Sequence, residues 1–251
     1  MPDITISYKP QPRQRFFHSD PHFFRLYGGA VFGGKSYALF GEAMIQCMTF
    51  ENLSGCLVKR TLKSCKDTFL HVARELRIMP DLCKWNERDS TLKFHKTGSV
   101  INFMYCEKDR DVELFTQYDF MGIDELTMLN EYQFDMIGTR VRTSCDDPRF
   151  HANIFAATNP DKRGHAWVKR RFVDKSDPKI EYDPTLYSFI QAKSSDNPIG
   201  LARNPRYMDQ YKALPEEKRK ALIDGSWEIF EGQFFTEWNS QIHVISKFDI
   251  A

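Results

Sequence analysis

Between residues 27 and 38 the chain reads YGGAVFGGKSYA, which sets Gly28, Gly29, Gly33 and Gly34 around Lys35. No other stretch restricts the fold as strongly. The residues before it, FRLYGGA, form a short apolar run suited to a strand, and those after it, KSYALFGEAMIQCMTF, repeat apolar residues at helical spacing. A glycine-rich turn between strand and helix lets successive backbone N–H groups converge on one point, where the helix dipole adds positive potential. Gly29-x-x-x-x-Gly34-Lys35-Ser36 fits the phosphate-loop pattern without deviation. On this reading Gly29, Gly33 and Gly34 shape the cradle, Lys35 supplies positive charge to the β and γ phosphates, and Ser36 ligates Mg²⁺.

A phosphate loop needs an apolar strand that ends in an acid holding the metal's water shell. FMGIDE, residues 120–125, provides it. Asp124 stands at the strand end as the metal ligand, and Glu125 follows directly, placed to polarise a water against the γ-phosphate. That adjacency favours hydrolysis over transfer to an organic acceptor. AATNP, residues 156–160, closes another apolar run with Thr158 and Asn159, which are suited to hydrogen-bond the γ-phosphate or its attacking water. Arg140 and Arg142 in GTRVR are candidates for a stabilising arginine, acting in cis or across a subunit boundary. Gln14 is the candidate amide for adenine; Phe16 and Phe17 are candidates for stacking on the base but read more readily as core or surface packing residues.

Further apolar runs at 55–60, 100–106 and 152–158 read as strands, with helices expected around Asp67 to Ile78 and across NEYQFDMIGTRVR. Alternation of this kind implies an α/β fold with a mostly parallel sheet and its chemistry at the carboxyl ends of the strands. From about Tyr182 the texture changes to proline-broken helical segments without an obvious further crossover strand. The expected division is therefore a core over 1–181 and a small helical appendage over 182–251.

The balance of 35 Lys and Arg against 34 Asp and Glu gives no global sign of a polyanion binder, so any such contact is local. Three basic clusters stand out: Lys59, Arg60, Lys63 and Lys66; Lys162, Arg163, Lys169, Arg170 and Arg171 around Trp167; and Lys218, Arg219 and Lys220. The second is the stronger candidate for a phosphate backbone because it directly follows Asn159; the third reads as a solvated helix face. The six cysteines lack metal-ligand spacing and read as reduced core thiols. No run reaches the roughly 18 apolar residues of a spanning helix, and a soluble intracellular protein is expected.

Taken in order, GGAVFGGKS, FMGIDELT with GTRVR downstream, AATNP followed by GHAWVKRRF, and NPRYMDQYKALPEEKRKALIDGSWEIFEGQFF resemble the large terminase subunit of tailed bacteriophages, from about residue 12 to the end. The last block is the most specific. The resemblance implies a RecA-like (ASCE) P-loop NTPase that hydrolyses ATP with Mg²⁺ and pushes double-stranded DNA into an empty capsid. It further implies a ring, of five subunits, on the portal protein, a small terminase subunit as partner, and residence in the host cytoplasm with transient docking on the procapsid portal. Gly29, Gly34, Lys35 and Ser36 match the family's Walker A loop, Asp124 and Glu125 its Walker B pair, Thr158 and Asn159 its coupling motif, and Gln14 its adenine-contacting glutamine.

Two departures matter. Many members carry an arginine four residues before the loop lysine, where this chain has Val31, which shifts attention to Arg140 and Arg142. The family's C-terminal nuclease domain is expected to begin about where HVISKFDIA ends, so ATP hydrolysis without DNA cleavage is the expectation for this chain. A helicase or recombinase with the same core, and a nucleotide-dependent scaffold without turnover, remain alternatives.

Overall fold

In the computed structural model of the chain, residues 8–160 and 163–228 are described. Among them, strands β1 (Phe24–Gly29), β2 (Ser54–Lys59), β3 (Cys83–Asn86), β4 (Thr91–Phe94), β5 (Val100–Tyr105), β6 (Phe120–Asp124), β7 (Asn153–Thr158) and β8 (Tyr187–Ala192) form one sheet in the order β3-β4-β5-β2-β6-β7-β1-β8. From β5 to β8 every pairing is parallel, and only β3 with β4 and β4 with β5 run antiparallel. The mostly parallel α/β sheet expected from the sequence is the one observed. β7 lies between β1 and β6, so the strand that carries Thr158 separates the glycine loop from Asp124.

The central strands are apolar almost throughout because helices cover both faces; all five residues of β6 are buried. Helices α2 (Lys35–Thr49) and α3 (Leu62–Glu75) pack on one face around Phe40, Leu57, Phe69, Phe103 and Phe155. Helices α4 (Glu131–Gly138) and α5 (His165–Val168), the latter continuing to Val173, pack on the other around Leu26, Met121, Ile123, Phe134 and Phe172. Each such side chain removed from water stabilises the fold by about 1.5–3 kcal/mol. Five of the six cysteines are buried, and all six are free thiols. Among the described residues no helix is long and apolar enough to cross a membrane.

Local chemistry sets the helix ends. α3 starts at Leu62 rather than around Asp67, because the Thr61 hydroxyl accepts the Ser64 N–H at 3.2 Å and caps the first turn. α4 starts with a reciprocal cap in which Gln133 N donates to Asn130 Oδ1 at 2.8 Å and Asn130 N to Gln133 Oε1 at 3.0 Å. It ends at Gly138, so the helix expected across GTRVR stops short, and Val141 instead bridges to Tyr118.

The boundary expected at 181/182 does not hold as a boundary of the sheet. β8 pairs in parallel with β1 from Phe24↔Tyr187 to Gly29↔Ala192. The region beyond Tyr182 therefore contributes a strand to the core. After β8 come the expected short helices, α6 (Pro198–Arg203) and α7 (Glu216–Arg219), the second continuing to Asp224. The block from Ile229 onward, including HVISKFDIA, lies outside the described residues, as do Met1 to Ser7 and Lys162.

Candidate nucleotide site

The carboxyl ends of β1, β6 and β7 meet at one edge. Their register sets Gly28 beside Thr158 and Asp124 beside Ala157, and the pairing of Val58 with Ile123 brings Lys59, the last residue of β2, alongside Asp124. Gly34 caps α2 at φ +70°, and Gly29 sits at φ +138° against β8, where a Cβ would lie 2.3 Å from the Ala192 carbonyl oxygen. Ala30 N donates to that same oxygen at 2.8 Å. Phe32 also has a left-handed backbone, φ 63°, and its ring stacks on Tyr207 at 4.1 Å. The loop is thus built on β8, an element the sequence did not reveal.

Lys35 Nζ donates to the Ala30 carbonyl inside the loop. Ser36 Oγ donates to Asp124 Oδ2 at 3.0 Å, with Asp124 buried. Glu125 adopts φ 59°, ψ 48°, a left-handed conformation that a non-glycine residue holds at a cost of about 1–3 kcal/mol. Its side chain is 53% exposed at the mouth of the site. Thr158 Oγ1 pairs with Thr127 Oγ1 at 2.7 Å, and both hydroxyls reach the Asn159 carbonyl at 3.1 Å. The Asn159 side chain keeps a buried Oδ1 with no partner among the described residues, an acceptor available to a water or an amine.

Lys59 belongs in sequence to a local basic cluster with Arg60, Lys63 and Lys66, but in the fold it is buried. Its Nζ lies 3.1 Å from Asp124 Oδ2, 3.4 Å from Glu125 Oε1 and 3.2 Å from Thr68 Oγ1. Burial alone would lower its pKa; the two carboxylates outweigh that and hold the ammonium above its ordinary value. The signal for it in the sequence is a single cation closing an apolar strand.

Gln14 is brought to the loop, but its amide is occupied there. Oε1 accepts Gln11 N at 2.9 Å and Nε2 donates to the Gly34 carbonyl at 3.0 Å. Beside it lies a cleft of about 910 Å³ lined in part by Tyr8, Gln14, Phe32, Gly34, Tyr37 and Asn197. Phe17 is wholly buried, stacked with Tyr27 at 5.5 Å, and Phe16 is 63% exposed away from the cleft. Neither Phe16 nor Phe17 lines the cleft, in keeping with packing roles for both; its aromatic lining is Tyr8, Phe32 and Tyr37.

Arg140 and Arg142 lie at the wrong end of the sheet for a role in cis. Tyr118 N donates to the Arg140 carbonyl and Arg142 N to the Tyr118 carbonyl, both at 3.0 Å. Tyr118 precedes β6, whose far end carries Asp124, and at about 3.3 Å per residue the separation is roughly 20 Å. Of the second basic cluster, Lys169, Arg170 and Arg171 are held in ion pairs within the chain, Arg163 is exposed, and Lys162 lies outside the described residues. Arg171, 1% exposed, bonds Asp177, Asp135 and Glu131, Arg170 bonds Glu131 and Asp177, and Lys169 bonds Asp174. Of the third cluster, Lys220 pairs with Glu216 at 2.7 Å on an exposed helix face.

The segment after α7 also touches the loop. Val31 N donates to the Leu222 carbonyl at 2.6 Å, and a Cβ on Gly225 would lie 2.6 Å from Ala30 N. Trp227 is buried and stacks on His165 at 5.2 Å, while His165 bonds the Pro160 and Trp227 carbonyls. Burial lowers the His165 pKa, with those two carbonyls opposing it. One packed unit thus joins the glycine loop, the Asn159–Pro160 turn and the C-terminal segment.

The donor set suits Mg²⁺. A hydroxyl and a carboxylate, both hard oxygen ligands, stand 3.0 Å apart beside the loop, and a buried ammonium already matches the negative charge. Among the described residues no cluster of three or more His, Cys, Asp or Glu forms a metal cage. Magnesium at a phosphate site needs none, since it is held by one or two protein ligands, waters and the substrate phosphates.

The model for the phage terminase large subunit family matches residues 21–226. No curated protein matches the chain by sequence. Among solved structures, the large terminase of a thermophilic bacteriophage in complex with ADP is similar over 87% of this chain and 54% of its own, with TM-score 0.68 and 18% identity. The large terminase ATPase domain of Thermus phage P74-26 is similar over 88% of this chain and 94% of its own, with TM-score 0.62 and 15% identity. The HK97 bacteriophage large terminase is similar over 73% of this chain and 39% of its own, with TM-score 0.52 and 10% identity. This chain spans about half the length of the first of these relatives. With a glycine loop, a Ser36–Asp124 pair and a sheet of this order all in place, and with the family model covering most of its length, the chain belongs to the phage terminase large subunit family.

Proposed function

We propose that this chain is an ATP-hydrolysing motor that drives double-stranded DNA into a viral procapsid. The observation that carries the reading is the contact of Ser36 Oγ with Asp124 Oδ2 at 3.0 Å, with Glu125 held next to it in a left-handed turn. The ADP and ATP-γ-S complexes of the structurally similar large terminases support nucleotide as the ligand.

Bound Mg²⁺ would supply charge neutralisation at the phosphates, with Ser36 and Asp124 holding it. The backbone of Gly29 to Gly34 cradles the phosphates, and Lys35 turns from the Ala30 carbonyl to their oxygens. Glu125 orients and deprotonates the attacking water. Asn159 senses the γ-phosphate or that water, and the unit of Pro160, His165 and Trp227 carries its loss to the C-terminal segment. Val31 leaves the loop without an arginine of its own, and Arg140 and Arg142 are too distant to serve in cis. In a ring on the portal, one of them completes a neighbouring subunit's site. The small terminase subunit and the portal protein are the proposed protein partners, in the host cytoplasm at the procapsid.

Packaging of duplex DNA into purified procapsids, with the small subunit and ATP supplied, tests this reading. Protection of the DNA from added nuclease is expected for the wild type and not for Glu125→Gln. Protection that is equal in the two, or that needs no ATP, would contradict it.

A further inference from the structure

Among the described residues, the edge of the sheet formed by β3, β4 and β5 is covered on one face only. Cys83, Leu92, Phe94, Ile101 and Phe103 point toward α2 and α3 and are buried. On the opposite face Lys84 and Lys93 are exposed, and Thr91, Val100 and Asn102 are half-buried. A shallow cleft of about 580 Å³ there is lined by Lys84, Asn86, Arg88, Thr91, Lys93 and Val100 among others.

Lys84 and Lys93 are direct cross-strand partners, and Val100 is paired with Lys93 on the next strand. Two ammonium groups placed opposite each other in a ladder repel and cost stability. Nearby carboxylates do not relieve them. Glu87 is taken by Lys66 at 2.8 Å and by Trp85 Nε1 at 2.7 Å, and Asp89 accepts from Asn86 at 2.7 Å. Among the described residues Lys84, Arg88 and Lys93 form no ion pair. A lysine on an edge strand is a common guard against unwanted pairing, which accounts for Lys84. It does not account for Lys93, because β4 is paired on both sides.

We propose that this face is a docking surface for the phosphate backbone of double-stranded DNA, with Lys84, Lys93 and Arg88 as its contacts. An anionic rod relieves the Lys84–Lys93 repulsion and matches the two cations plus the arginine at the hairpin tip. Neither lysine reads bases, so binding is independent of sequence. Val100 opens β5 and Ser54 opens β2, which puts Lys84 and Lys93 toward the amino ends of the strands, away from the nucleotide site, while the hairpin tip with Arg88 runs toward their carboxyl ends. Variants at Lys84 and Lys93 therefore leave hydrolysis intact. Duplex DNA as the occupant rests on the translocation reading above.

The test is binding of a fluorescent 30-base-pair duplex at several salt concentrations, with ATP turnover measured on the same preparations. For Lys84→Glu/Lys93→Glu, affinity is expected to fall about tenfold or more, and the slope of log affinity against log salt to become shallower by about 2. Lys84→Gln/Lys93→Gln, which avoids new charge, is expected to fall between. Turnover is expected to be unchanged. Duplex affinity and slope equal to wild type would overturn the proposal. So would loss of poly-glutamate binding with duplex binding intact, which would assign the face to an acidic protein. A wild type that hydrolyses ATP yet ignores duplex DNA would overturn the surface and leave the ATPase reading standing; absence of turnover would count against that reading instead.

Discussion

Lys59 holds its ammonium 3.1 Å from the buried Asp124 carboxylate and 3.4 Å from Glu125, so the proposed metal ligand and the proposed water-activating acid share one internal counter-ion. The cation comes from the end of β2, the strand next to β6, and needs no neighbouring subunit. It offsets negative charge at a site whose glycine loop, with Val31 in it, carries no arginine.

Removing that counter-ion leaves Asp124 buried without a full partner. Lys59→Met is expected to lower stability by about 3–4 kcal/mol at neutral pH, the lower part of the range for breaking a buried pair. Mg²⁺ with ADP should restore more stability to the variant than to the wild type, because the ion takes over the role of the ammonium. Urea unfolding with and without Mg²⁺–ADP measures both. Since the Lys59 pKa is raised, its contribution is fully present below the unfolded value of about 10.4 and disappears as pH rises through the higher folded value.

Gly225 lies far in sequence from the loop, but it packs against it at φ +67°. Gly225→Ala is expected to cost about 1–3 kcal/mol. It should also weaken nucleotide binding several-fold, since the added carbon meets Ala30 N at 2.6 Å. Titration with a fluorescent ATP analogue checks this; affinity equal to wild type would show that the C-terminal segment does not shape the loop.

Burial would raise the Asp177 pKa, but hydrogen bonds from Arg171 and Arg170 overcome it and pull the value down to about 2. A depressed carboxylate stabilises the fold above its unfolded pKa, near 3.9, and that support is lost as pH falls through 2. Over this window the wild type should lose about 2–3 kcal/mol that Asp177→Asn does not lose. Acid unfolding curves of the two proteins at matched ionic strength test the sign.

Because Arg140 and Arg142 lie roughly 20 Å from Asp124, Arg140→Ala and Arg142→Ala should match wild-type turnover at the lowest protein concentrations. As concentration rises, the wild-type rate per subunit should climb, and one of the variants should fail to follow while still binding nucleotide. A loss of turnover at every concentration would contradict the geometry.

Much of the nucleotide site was legible because its chemistry is local. Gly29 to Ser36 and Phe120 to Glu125 declare themselves by contiguous pattern, and the five strands read as apolar runs are present. The rest depends on long-range contacts. β8 follows a proline-rich stretch and resembles an isolated half-buried segment until it pairs with β1. The β3–β4 hairpin has strands of four residues each, too short for periodicity to register. Lys59, Arg170 and Arg171 look like surface charge in one dimension, and only the approach of Asp124, Glu131, Asp135 and Asp177 shows them as counter-ions. Gln14 was placed near the right loop but holds it through Gly34, because its amide reaches back across the helix cap.

The most direct measurement on the central claim is to compare nucleotide affinity and steady-state turnover for the wild type and Glu125→Gln with Mg²⁺ present. The account predicts affinity within about twofold of wild type and turnover reduced by about 10² or more. Turnover preserved in the variant, or affinity and turnover lost together, would show that Glu125 does not activate the attacking water.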